Sequence, residues 1–375
     1  MTYKVPFVNY PKHYHGMWNE VIGEISEALS KGDLLLRGQL KQFETDIAFF
    51  NGTKHAIGLN SGSDALLLSL KAAGIRPGDE VITVAHTFVA TIAAIVHCGA
   101  KPVLVDVGDD MNMNVEQVEQ KISPKTKSII PVHLNGRLCN MKRLMEIAKE
   151  HNLIVIEDAA QALGASFDGK KAGSFGLSGC FSLYPAKMLG AAGDGGFAIT
   201  NDDEMARKIR LLRDHGQDKA TGKILFYGFN SRLDNIQAAI LNVKLKYLPE
   251  WIKIRRKFAK MYNEGLSDVS QVKLPPPPEN SSYYDVYQNY VINVKNRDKL
   301  VKFLEANSVE TIVSWRIPTH LHPALNLGQL MLPKTEEISN EVVSLPLYPE
   351  LTDDQVQYVI DTIHNFYTIN IQDEH

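Results

Sequence analysis

Cysteine is scarce in this chain: three residues, Cys98, Cys139 and Cys180, among 375. Their wide spacing excludes a disulfide framework and any zinc-finger pattern, and it fits reduced thiols in the cytoplasm. A charge excess is also missing. The formal net charge is −3, which gives no electrostatic case for a nucleic acid or an anionic membrane as partner. No apolar run is long enough to span a bilayer. The first ten residues have no apolar h-region and no basic run, so no signal peptide is expected. Internal repeats and low-complexity tails are absent too. What remains is ordinary globular composition, 44% hydrophobic and 22% charged, in a chain long enough for about two domains.

From about residue 54 to 200, short apolar strands alternate with amphipathic helices. Strands are predicted at His55–Leu59, Glu80–Ala85, Pro102–Asp106, Ser128–His133 and Leu153–Glu157. Helices are predicted at Ser63–Ala73, Val89–His97 and Met141–Glu150, the first two closed by Gly74 and Gly99. This alternation implies βαβ units and a mostly parallel sheet covered on both faces, an α/β fold. Ligands of such sheets bind beyond the carboxyl ends of the strands. Further on, Asn235–Leu248 and Trp251–Leu266 read as helices, and Pro275–Pro278 as a rigid extended connection. The remainder mixes strands (Gln288–Val294, Thr311–Val313) with helices (Asp298–Ala306, Asp353–Ile363). We expect a large domain over 1–248 and a smaller α+β domain over 249–375, with the N-terminal segment packing on the smaller one.

The strand ends carry the chemistry. Lys187 follows the apolar run Cys180–Leu183 and precedes the glycine-rich Gly193-Asp194-Gly195-Gly196. A desolvated lysine amine is deprotonated and attacks carbonyls, and an aldehyde cofactor such as pyridoxal 5′-phosphate is its natural partner. Taken alone, the segment also fits a lysine that ends a strand with its amine in water. Asp158 closes the strand before Ala159-Ala160-Gln161. A carboxylate there needs a partner, and a pyridinium nitrogen is suitable; capping of a following helix is the bland alternative. Gln161 is placed to bond a ring oxygen. The turn Ser61-Gly62-Ser63-Asp64 opens a helix, whose N-terminus suits a phosphate, although simple capping explains it equally. Phe88 offers a face for a flat heterocycle, or core packing. Asn230 and Arg232 precede the long helix and fit either anion binding or a cap and a surface ion pair. The pairs His13/His15 and His320/His322 lack a third ligand, so no metal site is expected.

Together these segments resemble the DegT/DnrJ/EryC1/StrS family of sugar aminotransferases. The resemblance runs over nearly the whole chain, through SGSDAL (61–66), PGDEVIT (77–83), EDAAQALGA (157–165), FSLYPAKMLGAAGDGG (181–196), RDHGQ (213–217) and NSRLDNIQAAIL (230–241). It implies the aspartate-aminotransferase (type I) fold, pyridoxal 5′-phosphate as cofactor, and a homodimer with active sites at the interface. By position, Lys187 matches the Schiff-base lysine, Asp158 the partner of the ring nitrogen, and Gln161 the neighbour of the ring hydroxyl. Phe88 falls where a side chain stacks on the ring. Ser182 and the Ser63-Asp64 backbone match the phosphate cup, and Asn230 a phosphate ligand from the partner subunit. His320 falls at a family histidine near the sugar, and Arg232 fits a sugar carboxylate or diphosphate or, equally, a structural ion pair. Ser63 stands where threonine is common, which keeps the hydroxyl.

One branch of the family has histidine in place of the lysine and dehydrates its substrate, so Lys187 implies transamination. The expected reaction moves an amino group from L-glutamate to a nucleotide-linked ketosugar; the run Asn230–Asp234, with Asp214–Gln217 before it, resembles members acting on 3-keto sugars more than those acting at C4. A ketone at C4, a non-nucleotide substrate and a non-catalytic regulator that kept the fold are the alternatives.

Overall fold

A computed structural model describes residues 3–278 and 282–373. Thirteen strands lie among them: β1 (His55–Leu59), β2 (Glu80–Val84), β3 (Lys101–Val105), β4 (Thr126–Ile129), β5 (Ile154–Asp158), β6 (Ser166–Phe167), β7 (Lys170–Lys171), β8 (Ser178–Ser182), β9 (Gly196–Thr200), β10 (Val272–Lys273), β11 (Tyr283–Tyr284), β12 (Tyr290–Val294) and β13 (Val342–Leu345). Seven form the main sheet, in the order β1-β9-β8-β5-β4-β2-β3. Within it β9 alone runs against the others, pairing antiparallel with β1 and β8. The mostly parallel sheet and its covering helices match the expected α/β architecture.

Helix ends follow their sequence signals. The helix Gly62–Ala72 begins at Ser61, whose hydroxyl accepts from the Asp64 N–H, and the chain leaves it through Gly74 at φ +84°. The helix Val89–His97 has the expected bounds. The predicted strand Ser128–His133 is displaced to Thr126–Ile129. Pro131 has no N–H for the ladder, and its carbonyl instead accepts from Asp158 at 2.9 Å. The predicted strand Thr311–Val313 is reduced to one bridge, Ile312 to Ser344.

The main core packs the sheet against flanking helices. Phe181 on β8 stacks on Phe197 of β9 at 4.6 Å, and Phe43 meets Phe197 edge-on at 5.9 Å. A second core gathers Tyr262, Tyr290, Leu300, Val343 and Val359 around the three-stranded sheet β10-β12-β13. Val5 joins it and bridges to Val309. The two predicted helices after residue 234 are one, Asn235–Gly265, which runs through Pro249. Leu248, Trp251 and Ile252 are all buried around that proline, so packing on both sides offsets the lost hydrogen bond.

Close backbone approach fixes β8. A Cβ on Gly179 would stand 2.2 Å from the Cα of Gly173. Backbone cannot yield as a side chain can, so Gly179→Ala is expected to cost about 1–3 kcal/mol. A lowered urea midpoint would register it; an unchanged midpoint would contradict this packing.

Candidate active site

β5 ends with two carboxylates on opposite faces. Glu157 is fully buried and accepts from the N–H groups of Gly173, Phe175 and Gly176 at 2.8, 2.7 and 2.8 Å. It also faces His133 Nε2 at 2.9 Å. The other ring nitrogen of His133 accepts from the Cys139 N–H at 3.2 Å, so Nε2 carries the proton and donates to Glu157.

Asp158 points the other way. Its Oδ2 accepts from the Thr91 hydroxyl at 2.7 Å, and Oδ1 from the Ala160 N–H at 3.2 Å. The Thr91 and Thr87 hydroxyls are 2.9 Å apart, so a short hydroxyl chain leads to the carboxylate. Burial pushes the Asp158 carboxyl above its usual range, opposed by these two donors and by the charge of Lys187. Lys187 sits in the turn after β8, its N–H on the Tyr184 carbonyl at 2.8 Å. The residue is half-buried at its surface, yet burial pushes its amine below the usual lysine range, opposed by Asp158. Each group therefore holds the other nearer its charged form.

Both line one cavity of about 550 Å³, together with Ser63, Phe88, Gln161 and Ser182. The Gln161 Oε1 accepts from the Asn135 N–H at 2.7 Å, leaving its amide N–H groups as donors to the cavity. Opposite, the N-terminus of the helix Gly62–Ala72 approaches β8 and β9 closely. A Cβ on Gly62 would meet the Ser182 Cβ at 2.8 Å, and one on Gly196 the Ser61 carbonyl carbon at 2.2 Å. The result is a backbone cradle of first-turn N–H groups beside two serines, built for an anion. A larger surface groove of about 770 Å³ lies along the helices Trp18–Ser30 and Gly38–Asn51. It contains none of these groups, so chemistry assigns the site to the smaller cavity.

Four residues singled out in the sequence stand outside the cavity lining. The Asp64 N–H is taken by the Ser61 cap and its carboxylate by the Ser231 hydroxyl at 2.8 Å; the N–H groups of Gly62 and Ser63 remain for a ligand. Arg232 pairs with Asp214 at 2.9 Å. Asn230 is exposed, just past the exposed stretch Ile224–Tyr227. His320 is buried with Nε2 3.2 Å from Glu336; its neighbour Thr319 donates to the Thr87 carbonyl at 3.2 Å. Conversely, Thr91, His133, Tyr184 and Trp315 line the cavity without having been read from the sequence. Thr91 had a signal, its i,i+4 spacing from Thr87. Trp315 had none: it reaches the cavity from a backbone at φ +51°, costly for a bulky residue.

The profile of the DegT/DnrJ/EryC1/StrS aminotransferase family matches residues 17–364. The chain belongs to this family. A relative from Geobacillus stearothermophilus named pleiotropic regulatory protein is 43% identical, covering 97% of this chain and 98% of its own. The UDP-N-acetyl-3-dehydro-alpha-D-glucosamine 3-aminotransferase of Acidithiobacillus ferrooxidans is 38% identical, covering 96% and 97%. Among solved structures, S. venezuelae DesV in complex with a ketimine intermediate superposes with a TM-score of 0.94 at 37% identity, covering 97% of this chain and 99% of that one. This family member is therefore a type I aminotransferase in fold and an enzyme in class. No helix among the described residues is long and apolar enough to cross a membrane.

Proposed function

We propose that the protein transfers an amino group from L-glutamate to a nucleotide-linked 3-ketosugar, with pyridoxal 5′-phosphate as cofactor. The observation that carries this reading is Lys187 and Asp158 on one cavity wall, each opposing the other's shift. The residues present fit the cofactor. The cradle of Gly62, Ser63 and Ser182 would hold its phosphate, Asp158 its ring nitrogen, Gln161 its ring hydroxyl, and Phe88 one face of its ring. When bound, the cofactor supplies a carbonyl that takes up the amino group and a ring that accepts the electrons of the broken C–H bond.

The chain's own groups supply the rest. Lys187 Nζ, its pKa pushed down by burial, takes the proton from the donor's α carbon and later returns one to the sugar carbon. Asp158, oriented by Thr91 and the Ala160 N–H, holds a proton on the ring nitrogen. The cavity wall excludes bulk water from that exchange. Asn230 serves the cofactor phosphate of a second copy in a homodimer, which accounts for its place outside this chain's cavity. The exposed Ile224–Tyr227 stretch is the apolar surface such a dimer would cover.

The C3 assignment rests on the run Asn230–Asp234 and on the name of the Acidithiobacillus relative. Synthetic UDP- and dTDP-linked 3-keto and 4-keto hexoses, incubated with the holoenzyme and L-glutamate, test it. The expected product is the 3-amino sugar, identified by NMR; amination of the 4-keto substrates alone would reverse the assignment. The regulator alternative is not favoured, since the relatives named as sugar transaminases outweigh the Geobacillus relative named for regulation. A visible absorption band in cofactor-supplemented protein that is lost on borohydride treatment supports the covalent role of Lys187, and its absence speaks against it.

A further inference from the structure

The helix Asn235–Gly265 buries a lysine that the proposed reaction does not use. Lys244 is 2% exposed. Its Nζ donates to the Gly190 carbonyl and lies 5.1 Å from the ring centre of Tyr14 and 5.9 Å from that of Trp251. Burial pushes its pKa down to about 8, against the pull of Glu350. A core position with no other task is filled more stably by leucine or methionine, since a buried cation is retained at a cost.

Gly190 belongs to the turn that carries Lys187. A Cβ on Gly190 would stand 2.1 Å from the Pro185 carbonyl oxygen. The Ala191 N–H donates to Leu183 at 2.7 Å, and the Lys187 N–H to Tyr184 at 2.8 Å. The turn is thus closed on itself, and a shift of Gly190 is passed to Pro185–Lys187. Two uncharged side chains hold the same turn: Gln288 donates to the Ala186 carbonyl at 2.7 Å, and Gln237 accepts from the Ala192 N–H at 2.9 Å.

We infer that Lys244 is a positioning residue for Lys187, aligning its amine by fixing the Gly190 carbonyl from within the core. The aromatic faces of Tyr14 and Trp251 keep the ammonium in place, which makes the N-terminal helix Tyr10–His15 part of the support of the site. The inference rests on Lys187 being the reacting amine.

Lys244→Met removes the donor at similar volume, and Lys244→Gln keeps a donor without the charge. In the half-reaction of holoenzyme with L-glutamate, Lys244→Met is expected to lower kcat about 10- to 100-fold, as a misplacement of about 1 Å does, with KM little changed. Lys244→Gln should recover part of that loss. In the cofactor-free protein, the labelling rate of Lys187 by trinitrobenzenesulfonate, resolved by peptide mass spectrometry, should change while exposed lysines label as before. A folded Lys244→Met with wild-type kcat and wild-type Lys187 labelling overturns the inference. Should it fail to fold, Tyr14→Leu, which removes one ring and leaves the amine, must still alter Lys187 labelling; unchanged labelling there overturns it equally. An error in the underlying reading is separable, because it would leave Lys187→Ala active.

Discussion

Lys187→Ala is expected to lower turnover by at least about 10³-fold, the combined loss of nucleophile and proton carrier. Lys187 is the amine in the cavity at which burial and Asp158 act in opposition. Its neighbours cannot substitute. The polar groups of His133 are committed to Glu157 and Cys139, and Tyr184 lies more than half exposed at the rim. Because burial destabilises the charged amine, the substitution should leave stability intact, and an unchanged urea midpoint is the control. The measurement is the absorbance change of cofactor-loaded protein on adding L-glutamate. A variant that retains wild-type turnover would exclude Lys187 from the reaction.

Asp158→Asn should be the next most damaging change, by about 10²- to 10³-fold, the usual effect of deleting one preorganised electrostatic group. Asparagine keeps the shape and still accepts from Thr91 through its carbonyl oxygen, but its NH2 replaces the oxygen that accepts from the Ala160 N–H, so the loss combines the charge with that weaker hydrogen bond. The sign of a second effect follows from the same pair. The Asp158 carboxylate raises the pKa of Lys187 against the lowering by burial. Removing it leaves burial unopposed, so the Lys187 titration midpoint moves down. Labelling of Lys187 in cofactor-free protein as a function of pH reads this directly. An upward move, or none, would show that the two groups are not electrostatically coupled.

The elements nearest the site were legible in the sequence because local signals fix them. Ser61 and Gly74 bracket one helix, and the strand ends at Leu59 and Asp158 were placed within a residue. The sequence splits the long helix in two because Pro249 is a local breaker, whereas Leu248, Trp251 and Ile252 hold it through contacts elsewhere in the chain. The same division separates the site residues. Lys187, Asp158, Gln161, Phe88, Ser63 and Ser182 face one cavity because strand-end position alone directs them there. Asp64 and Arg232 are committed to Ser231 and Asp214. Those partners are 167 and 18 positions away, and no spacing rule announces them. Glu157, next to Asp158, carries no sequence signal for a related reason: its partners are backbone N–H groups of a turn the sequence does not place.

The helix Asn235–Gly265 contributes Ala238, Leu241 and Val243 to one core and Phe258, Ala259 and Tyr262 to the other. Unwinding either end removes a wall from one core, and because the helix is continuous the loss spreads to the other. Loss of structure is therefore a joint event: denaturant should produce one cooperative transition, and amide exchange along both halves of this helix should reach the same ceiling.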